Sequence, residues 1–469
     1  MQTIQTQLLV LGGGPGGYAA AFLAADRGFQ VTLVDASGKL GGTCLQVGCI
    51  PSKALLHVAK LIAEAKDAPH FGVTFGAPKI DLKGVRGHWQ KVTETLTKSL
   101  AKLAEARKIR FVPGRGKFLD AHTVVVDDST QITFDHAIVA TGSIPAMPQA
   151  FQIGSKRVMD STGALALEEI PGSLLVIGGG YIGLEMGTVY ASLGSKVTVV
   201  EGTDGLIPNA DRDLVAPLHK RLEGLFSKIL LKHKVSKIEE VGKDIRATLE
   251  DPSGKPIIEN FHRVLVSVGR RPATRDLGIE KAGIVLDDKG FIPVNAQRRT
   301  AVEHIYAIGD SAGEPQLAHK ASFEGKVAVE ALSGEPVAYD VAAVPAVIFT
   351  DPEIAWCGLT EMDAQKQGIE VKKLKMPWAG SGRALTRGRT EGVTKLLVDP
   401  KTERLLGVGI CGVDAGEMIG EAMLALEMGA TARDLALTMH AHPTLSETMM
   451  EAAEHMYGLS VHSAPAKKG

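Results

Sequence analysis

The chain has 469 residues, of which 45% are hydrophobic and 22% are charged, and its formal net charge at pH 7 is −1. This length favours about three globular domains, and the balanced charge gives no reason to expect nucleic acid or an anionic membrane as a partner. We find no apolar run of the roughly 20 residues that a membrane span needs. The sequence therefore predicts a soluble, cytoplasmic enzyme.

The first predicted unit is a strand, a glycine-rich turn, a helix and a second strand that ends in an acid. Glycines let the backbone approach a pyrophosphate, the helix N-terminus stabilises its charge, and the acid accepts hydrogen bonds from a ribose. Because each part has a role in binding, the whole unit predicts a dinucleotide site. Its parts are the strand 8–11, Gly12, Gly14 and Gly17 in the turn, the helix 18–27, the strand 31–34 and the acid Asp35.

A cysteine pair follows this unit. The chain has only four cysteines, and Cys44 and Cys49 lie about 8.6 Å apart if they belong to one regular helix. A disulfide spans roughly 4.4–6.8 Å, so a bridge requires a bend, which Gly48 permits. Pro51 suits the first position of a following helix, which would place Cys49 near a helix end that lowers a thiol pKa.

A redox role for this cysteine pair is favoured over two alternatives. A chain of this length needs no disulfide to stabilise its core, and disulfides in intracellular proteins are usually catalytic. A metal site needs about four ligands, and the surrounding sequence does not supply the others, so no metal is predicted. A disulfide beside a bound redox cofactor can exchange two electrons with it.

The glycine-rich unit occurs a second time. A carboxylate at the end of the second strand accepts from the free 2′-hydroxyl of NAD and repels the 2′-phosphate of NADP. No Lys or Arg occurs in residues 202–208 to bind that phosphate, so the second site is predicted to take NAD. Its parts are the strand 174–177, Gly178, Gly180 and Gly183, the helix up to Leu193, the strand 197–200 and the acid Glu201.

A possible acid–base pair lies near the C-terminus. A histidine such as His442 exchanges protons at physiological pH because its ordinary pKa is near 6.5. Glu447 could orient the ring, and Pro443 disfavours a helix through His442, so the two side chains can face each other across a turn. From these residues alone, a solvated histidine in a loop is an equally good interpretation.

Taken together, these features resemble the flavin-dependent disulfide reductases, the class I pyridine nucleotide–disulfide oxidoreductases. The resemblance extends over essentially the whole chain and is strongest to the members that oxidise dihydrolipoamide. It implies an α/β fold with two Rossmann-like domains, for FAD and NAD, and a C-terminal α+β dimerisation domain. The motifs are the two glycine fingerprints, residues 41–53 around the cysteine pair, and the segments 350–353, 415–419 and 440–447.

The resemblance also implies domain limits, which the segments AIVATGSIP (137–145) and VLVSVGRRP (264–272) mark as paired crossover strands. A helical excursion is expected at 88–110 and a disordered tail at 462–469. The expected domains are a first FAD segment at 1–148, an NAD domain at 149–272, a second FAD or central segment at 273–345, and an interface domain at 346–469.

The implied reaction oxidises protein-bound dihydrolipoamide to lipoamide and reduces NAD⁺ to NADH. Cys44 would receive the substrate thiol, Cys49 would pass electrons to one non-covalently bound FAD, and His442 would act as base across a homodimer. Such an enzyme is the shared component of 2-oxo acid dehydrogenase complexes. Its expected partners are lipoyl domains, the acyltransferase core of these complexes and the glycine cleavage H protein.

The resemblance assigns further cofactor contacts. Lys53 is expected to approach the flavin and pair with Glu185, although from sequence alone it could be a surface lysine. Asp310 is expected at the ribityl chain, although such an aspartate is more often a turn former. The other expected contacts are Gly116, Thr141, Gly142 and Ala318 for FAD, and Tyr181 and Gly269 with Glu185 for NAD.

Two alternatives stay open at this point. The chain could be another NAD(P)H-dependent disulfide reductase of the same family, or it could be a mainly structural docking subunit. The remaining cysteines, Cys357 and Cys411, match no redox position and are predicted to be small buried hydrophobic residues.

Overall fold

The computed structural model describes residues 2–462, and its first part contains the unit predicted around the first glycine fingerprint. The elements are β1 (Gln2–Leu11), α1 (Pro15–Asp26), β2 (Val31–Asp35), α2 (Gly42–Val47), α3 (Cys49–Asp67), α4 (Leu82–Ala106), β3 (Arg110–Pro113), β4 (Gly116–Asp120), β5 (Thr123–Val126), β6 (Thr130–Val139) and β7 (Ser143–Pro145). The helical excursion begins earlier than 88–110 because Asp81 caps α4 by accepting from the Lys83 backbone N–H. It ends earlier because the chain enters β3.

The second part repeats the strand–turn–helix–strand unit and adds an antiparallel layer. Its elements are β8 (Val158–Met159), α5 (Ser161–Ala166), β9 (Ser173–Ile177), α6 (Tyr181–Ser192), β10 (Lys196–Glu201), α7 (Arg212–Leu225), β11 (Lys228–Leu231), β12 (Lys234–Val241), β13 (Asp244–Glu250), β14 (Pro256–Phe261), β15 (Arg263–Val266) and β16 (Arg270–Pro272).

The third part returns to the first sheet with one strand and then forms a separate sheet with helices. Its elements are β17 (Ile305–Ala307), α8 (Ala318–Leu332), β18 (Ala346–Ile348), β19 (Glu353–Gly358), α9 (Glu361–Gln367), β20 (Lys372–Pro377), α10 (Gly382–Thr386), β21 (Val393–Val398), β22 (Leu405–Gly412), α11 (Ala415–Glu427), α12 (Ala432–Leu437) and α13 (Glu447–Glu454). Short 3₁₀ helices lie at Ala68–Phe71, Gln149–Phe151, Ile279–Ala282, Gly309–Ser311 and Trp378–Gly380.

The strands assemble into five sheets. Two have parallel strands at their centre, a third is the C-terminal antiparallel sheet, and the other two are the three-stranded antiparallel sheet β12-β13-β14 and the pair β7 and β16. The first has the order β3-β2-β1-β6-β5-β4 with β17 paired to β6, and the second has the order β11-β10-β9-β15-β8. The C-terminal sheet has the order β18-β19-β22-β21-β20 and is antiparallel. Two Rossmann-like units and an α+β C-terminal part confirm the predicted fold class.

The chain crosses between the first two sheets at a pair of short strands. In this two-stranded sheet, β7 and β16 run antiparallel, and Ile144 lies opposite Arg271. The predicted crossover segments therefore pair as expected. Because both crossings lie side by side, the two nucleotide-binding units are held next to each other.

Other sequence expectations are met or fall outside the described residues. Cys357 and Cys411 are buried in the C-terminal sheet and its surroundings, as predicted. Among residues 2–462, every helix is too short or too polar to cross a bilayer. Of the tail predicted to be disordered, residues 463–469 lie outside the described part. His462 is described, and its Nδ1 lies 2.6 Å from Glu451 Oε1.

Candidate active site

A cavity of about 560 Å³ opens where the first glycine turn, the start of α3 and the β7–β16 pair meet. Both Cys44 and Cys49 line this cavity. Gly17 is buried behind the turn. The cavity is also lined by the other residues predicted to contact FAD, which are Gly12, Gly14, Asp35, Lys53, Gly116, Thr141, Gly142, Asp310 and Ala318.

The first and last glycines of each fingerprint are required by close backbone contacts. A Cβ added at Gly12, where φ is +109°, would lie 2.2 Å from the Ala140 carbonyl oxygen, and one at Gly17 would lie 1.8 Å from the Gly12 oxygen. In the second unit, a Cβ at Gly183 would lie 2.3 Å from the Gly178 oxygen. These distances are far below any real contact, so side chains at these positions would break the turns.

The two acids at the strand ends hold their glycine turns in the same way. Asp35 Oδ2 accepts from the Gly13 backbone N–H at 2.7 Å, and Glu201 Oε2 accepts from the Gly179 N–H at 2.7 Å. In each case the second carboxylate oxygen accepts a backbone N–H two residues farther along the chain, at 2.8 Å. The shorter Asp35 therefore performs the same local role as Glu201.

The cysteines lie on either side of a break between two helices. Gly48 (φ −144°, ψ −116°) ends α2 and directly precedes α3, and a Cβ on it would lie 2.7 Å from the Thr43 carbonyl oxygen. Cys49 is the first residue of α3, so the helix begins two residues before the start predicted at Pro51. Proline is tolerated there because the first four N–H groups of a helix have no partner within the helix.

The two thiols are free and have different acidities. A hydrogen bond from Cys44 lowers the pKa of Cys49 to about 7, and the nearby Lys53 charge acts in the same direction, whereas burial opposes both. The same hydrogen bond, together with burial, raises the pKa of Cys44. In the reduced pair, Cys49 therefore holds the negative charge and Cys44 holds the proton.

Lys53 connects this helix to the second nucleotide unit. It lies one turn after Cys49, and its Nζ is 2.9 Å from Glu185 Oε2, where the carboxylate side chain is only 4% exposed. The Phe349 backbone N–H donates to Glu185 Oε1 at 3.1 Å, and the Lys53 ammonium lies 4.4 Å from the centre of the Phe349 ring. The lysine is therefore an anchored cation beside the cavity.

Asp310 belongs to a hydrogen-bonded row of polar side chains, of which only Asp310 itself was predicted. Its Oδ2 accepts from Ser143 Oγ at 2.5 Å, and Arg270 Nε donates to Ser143 Oγ at 2.7 Å. Ser143 and Arg270 line the cavity and were missed by the sequence reasoning. Ser143 directly follows the predicted Gly142, whereas Arg270 lies in the second crossover strand and carried no signal of its own.

Two polar groups facing the cavity test whether a nucleotide cofactor fits. Thr141 Oγ1 and Gln316 Nε2 are buried without a hydrogen-bond partner among the described residues, and both residues line the cavity. Buried polar atoms are rarely left unpaired in native proteins. A flavin nucleotide has many hydrogen-bonding atoms that could pair with these two groups, so the cavity lining fits FAD. Gln316 was also missed, because a single glutamine in a loop has no pattern.

The three glycines of the second fingerprint do not line this cavity. An added Cβ at Gly180 would meet nothing within 4 Å, so the turn is open to an approaching ligand. Tyr181 and Glu185, which were predicted to contact NAD, line the first cavity from the N-terminal part of α6. Gly269 adopts a φ of +123° and accepts from the Ala146 N–H at the crossover.

His442 and Glu447 meet as predicted, but they lie apart from the cysteines. His442 Nδ1 is 2.9 Å from Glu447 Oε1, and Glu447 Oε2 accepts from the Thr444 backbone N–H at 2.7 Å. The histidine side chain is 70% exposed, and it does not line the cavity. His440 is held separately, with its Nε2 2.7 Å from Glu421 Oε1.

Two models of one protein family together match most of the chain. A pyridine nucleotide-disulphide oxidoreductase model matches residues 6–325, and a model of the dimerisation domain of these proteins matches residues 344–453. The chain belongs to the pyridine nucleotide-disulphide oxidoreductases. In this family member, the first model covers both glycine fingerprints and the cysteine pair, and the second covers His442 and Glu447.

Curated relatives and solved structures agree with this membership. The chain is 47% identical to dihydrolipoyl dehydrogenase of Vibrio cholerae over 99% of both chains. It is 45% identical to dihydrolipoyl dehydrogenase of Geobacillus stearothermophilus over 98% of both chains. The structure of LpdA from Mycobacterium tuberculosis superposes with a TM-score of 0.88 at 27% identity, covering 96% of this oxidoreductase and 99% of that chain.

Another solved structure has the same fold with another printed name. The HOCl-induced flavoprotein disulfide reductase RclA from Escherichia coli superposes with a TM-score of 0.85 at 28% identity, covering 94% of this chain and 98% of that chain. The fold therefore serves several disulfide reductases, so the substrate of this oxidoreductase must be argued from its site and its more similar relatives.

Proposed function

We propose that the chain is a flavoprotein that oxidises protein-bound dihydrolipoamide to lipoamide and reduces NAD⁺ to NADH. The observation that carries this proposal is the cavity in which the Cys44–Cys49 pair lies beside the first glycine turn and the Lys53 cation. Full-length relatives named dihydrolipoyl dehydrogenase support the substrate. The alternatives of a different disulfide reductase or a mainly structural subunit are not favoured by these relatives.

FAD and NAD are the cofactors of this enzyme. When bound, FAD supplies the two-electron transfer between the cysteine pair and NAD⁺. Thr141, one of the predicted contacts, and Gln316, which was not predicted, offer it buried hydrogen-bonding groups. The predicted contacts are Gly12, Gly14, Gly17, Asp35, Lys53, Gly116, Thr141, Gly142, Asp310 and Ala318 for FAD, and Gly178, Gly180, Tyr181, Gly183, Glu185, Glu201 and Gly269 for NAD.

The cysteines act in a fixed order in the oxidised, disulfide-bonded enzyme. A substrate thiolate attacks Cys44, the Cys44–Cys49 bond breaks, and Cys49 leaves as a thiolate. The second substrate thiolate then attacks its partner sulfur, which releases Cys44 and closes the lipoamide disulfide. Two electrons now reside on the cysteine pair. The low pKa of Cys49 makes it the better leaving group, because lower-pKa thiols leave faster.

His442 supplies the proton transfer. A thiol must lose its proton before it attacks a disulfide, and an imidazole can accept that proton at neutral pH. Glu447 holds Nδ1 at 2.9 Å, which leaves Nε2 available to the substrate. His442 therefore acts as the base, and Glu447 is the residue that orients it.

The base and the cysteines come from different chains of a homodimer in this proposal. Within one chain, His442 is largely exposed and lies outside the cavity that holds Cys44 and Cys49. The match of residues 344–453 to a dimerisation domain supports a second chain that completes the site. The His442 of one chain would then serve the cysteine pair of the other.

Subunit complementation tests this arrangement. When a Cys44→Ser chain is co-expressed with a His442→Gln chain, half of the dimers are mixed, and each mixed dimer has one complete site. The mixture should therefore recover about a quarter of the wild-type rate, because a two-fold dimer has two equivalent sites. Each variant expressed alone is the control. A mixture as inactive as the controls would show that the base acts within its own chain.

We also propose the wider setting of the enzyme. The domain limits are 1–148, 149–272, 273–345 and 346–469, as the motifs predict. A cytoplasmic location fits an enzyme that meets lipoyl domains on the acyltransferase core of a 2-oxo acid dehydrogenase complex, or on the glycine cleavage H protein. The lipoyl group arrives on such a carrier.

The decisive experiment compares two substrate pairs. The initial rate of NAD⁺ reduction by dihydrolipoamide should be high, and that of NADP⁺ reduction by glutathione should be negligible. Cys49→Ser should retain bound flavin and lose dithiol oxidation, with Cys357→Ser as a matched control at a buried cysteine. If the protein contains flavin but is inactive with dihydrolipoamide, its substrate is a different disulfide or dithiol. Substantial turnover by Cys49→Ser would overturn the assigned mechanism.

A further inference from the structure

We infer that Lys395 is a positioning residue for the NAD site, although it lies in the C-terminal sheet. It fixes the N-terminal end of α7 to that sheet, and α7 in turn holds the loop that supports the second glycine turn. The inference rests on the proposed function, which assigns NAD to that turn. Neither the sequence motifs nor the family resemblance pointed to this lysine.

Lys395 is a buried cation at the meeting point of three carboxylates. Its side chain on β21 is 1% exposed, and its Nζ lies 2.6 Å from Asp211 Oδ2, 2.8 Å from Asp213 Oδ1 and 2.9 Å from Glu361 Oε1. An ammonium group has three N–H donors, so every donor has a charged acceptor. Lys375 adds a second contact to Asp213 at 2.5 Å.

These carboxylates come from two different parts of the fold. Asp211 directly precedes α7 in the second nucleotide unit, whereas Glu361 begins α9 beside the C-terminal sheet. Asp211 Oδ2 also accepts from the Glu361 backbone N–H at 3.0 Å. One carboxylate oxygen from each of Asp211, Asp213 and Glu361 lies within 4.8 Å of the other two. Lys373 and Lys375 also contact Glu361 and Asp213, but among the described residues only Lys395 pairs with Asp211. Without Lys395, the buried Asp211 carboxylate would lie beside two other carboxylates with no cation of its own, which would loosen the contact between α7 and α9.

The N-terminal end of α7 is connected to the second glycine turn. Arg212, the first residue of α7, donates to the Leu206 carbonyl at 2.8 Å and also to the Ile207 carbonyl. The Ile207 N–H donates to the Gly179 carbonyl at 3.0 Å. Gly179 in turn donates to Glu201 at 2.7 Å. The chain joins Asp211 of the lysine cluster directly to Arg212, and hydrogen bonds lead from Arg212 to the predicted ribose-binding acid.

This connection predicts a selective effect on nicotinamide binding. Removing Lys395 should shift α7 and the loop 203–210, and with them Gly179 and Glu201. The residues that line the FAD cavity have no hydrogen bond in this set. The dissociation constant for NADH should therefore rise about 3- to 30-fold, while FAD content and the KM for dihydrolipoamide stay within twofold of wild type.

The test measures NADH binding by fluorescence titration to the FAD-loaded dimer, which is fully reduced beforehand under anaerobic conditions so that bound NADH cannot transfer a hydride, together with both KM values. Lys395→Met is the main variant, Lys395→Arg should restore part of the affinity by keeping the charge, and Lys401→Met is a control at an exposed lysine. If Lys395→Met binds NADH within twofold of wild type, the inference is wrong. A lower melting temperature in that variant would then show only that Lys395 stabilises the fold. An equal rise in both KM values would also overturn the inference.

A second variant keeps the inference testable if Lys395→Met does not fold. Arg212→Met leaves the lysine cluster in place and removes only the link from α7 to the loop, so it should weaken NADH binding in the same direction. Unchanged NADH affinity in Arg212→Met would overturn the inference by itself. A wild-type protein that binds no NADH would overturn the proposed function as well, which separates the two failures.

Discussion

The contact between Glu447 and His442 makes the sharpest prediction for activity. The Glu447 side chain is only 13% exposed, and its two oxygens face His442 Nδ1 and the Thr444 backbone N–H. In Glu447→Gln, the amide oxygen keeps one of these contacts, and the NH₂ group must occupy the other. If the NH₂ group faces Nδ1, the ring hydrogen has to move to Nε2, which then cannot accept a proton.

The size of the effect follows from the charge of the lost contact. A hydrogen bond to a charged group contributes about 1.5–3 kcal/mol. At roughly 1.36 kcal/mol for each factor of ten in rate, the loss corresponds to a decrease of about 10- to 150-fold in kcat/KM for dihydrolipoamide. Because Gln has nearly the same volume as Glu, the protein should keep its fold and its bound flavin.

Two reactions of the same variant separate this effect from general damage. Glu447→Gln should lose dihydrolipoamide oxidation but keep NADH-dependent ferricyanide reduction, which does not involve the dithiol or its base. Glu370→Gln, at an exposed glutamate, is the matched control and should be unchanged in both reactions. A decrease of less than threefold with dihydrolipoamide, or an equal loss in both reactions, would refute the role of Glu447 as the orienting residue.

Three further predictions concern acidity, cofactor binding and stability. Because the pKa of Cys49 is lowered to about 7, its thiolate is present above that pH and is lost below it. A thiolate absorbs at 240 nm, so the difference in this absorbance between the reduced protein and Cys49→Ser should rise with pH with a midpoint near 7. A midpoint near the pKa of an ordinary free thiol would contradict the prediction. Gln316→Leu removes a buried donor and should raise the FAD dissociation constant about 2- to 10-fold, as measured by flavin release, whereas Gln365→Leu at the surface should not change it. Glu324, which is fully buried, accepts from Arg298 at 2.9 Å and from the Gly309 N–H at 2.6 Å. Glu324→Gln should lower the free energy of unfolding in urea by about 3–5 kcal/mol, and a loss below 1 kcal/mol would contradict it.

The local units of this fold could be predicted because their signals are local. The glycines, the apolar strands and the terminal acids at Asp35 and Glu201 occur at fixed spacing. Each set therefore identifies the glycine turn to which it belongs without information from the rest of the chain. The strands β19 and β20 of the C-terminal sheet were not predicted. The run 353–358 mixes Glu, Trp and Cys without a regular alternation of polar and apolar residues. The run 372–377 alternates only over residues 373–376 and has three lysines, so its signal is short and weak.

The parts of the site that were missed depend on contacts between distant segments. Ser143 and Asp310 are far apart in the sequence and meet only because β6 and β17 are neighbours in one sheet. Gln316 and Lys395 act through burial, which a single sequence does not reveal. The position of His442 outside the cavity of its own chain was implied by the family resemblance alone, since the residues themselves indicate only its closeness to Glu447.

The same glycine pattern produces two different nucleotide sites because the surrounding chain differs. At the first turn, the segment that leads to Cys44 lies directly over the glycines, and a Cβ on Gly42 would come within 2.5 Å of Gly14 Cα. At the second turn, a Cβ on Gly180 would meet nothing within 4 Å. The redox segment therefore packs directly against the first turn, beside any nucleotide bound there, whereas the second turn is open on the side of Gly180. This difference suits a permanently held FAD beside the cysteines and an NAD that must arrive and depart in every catalytic cycle.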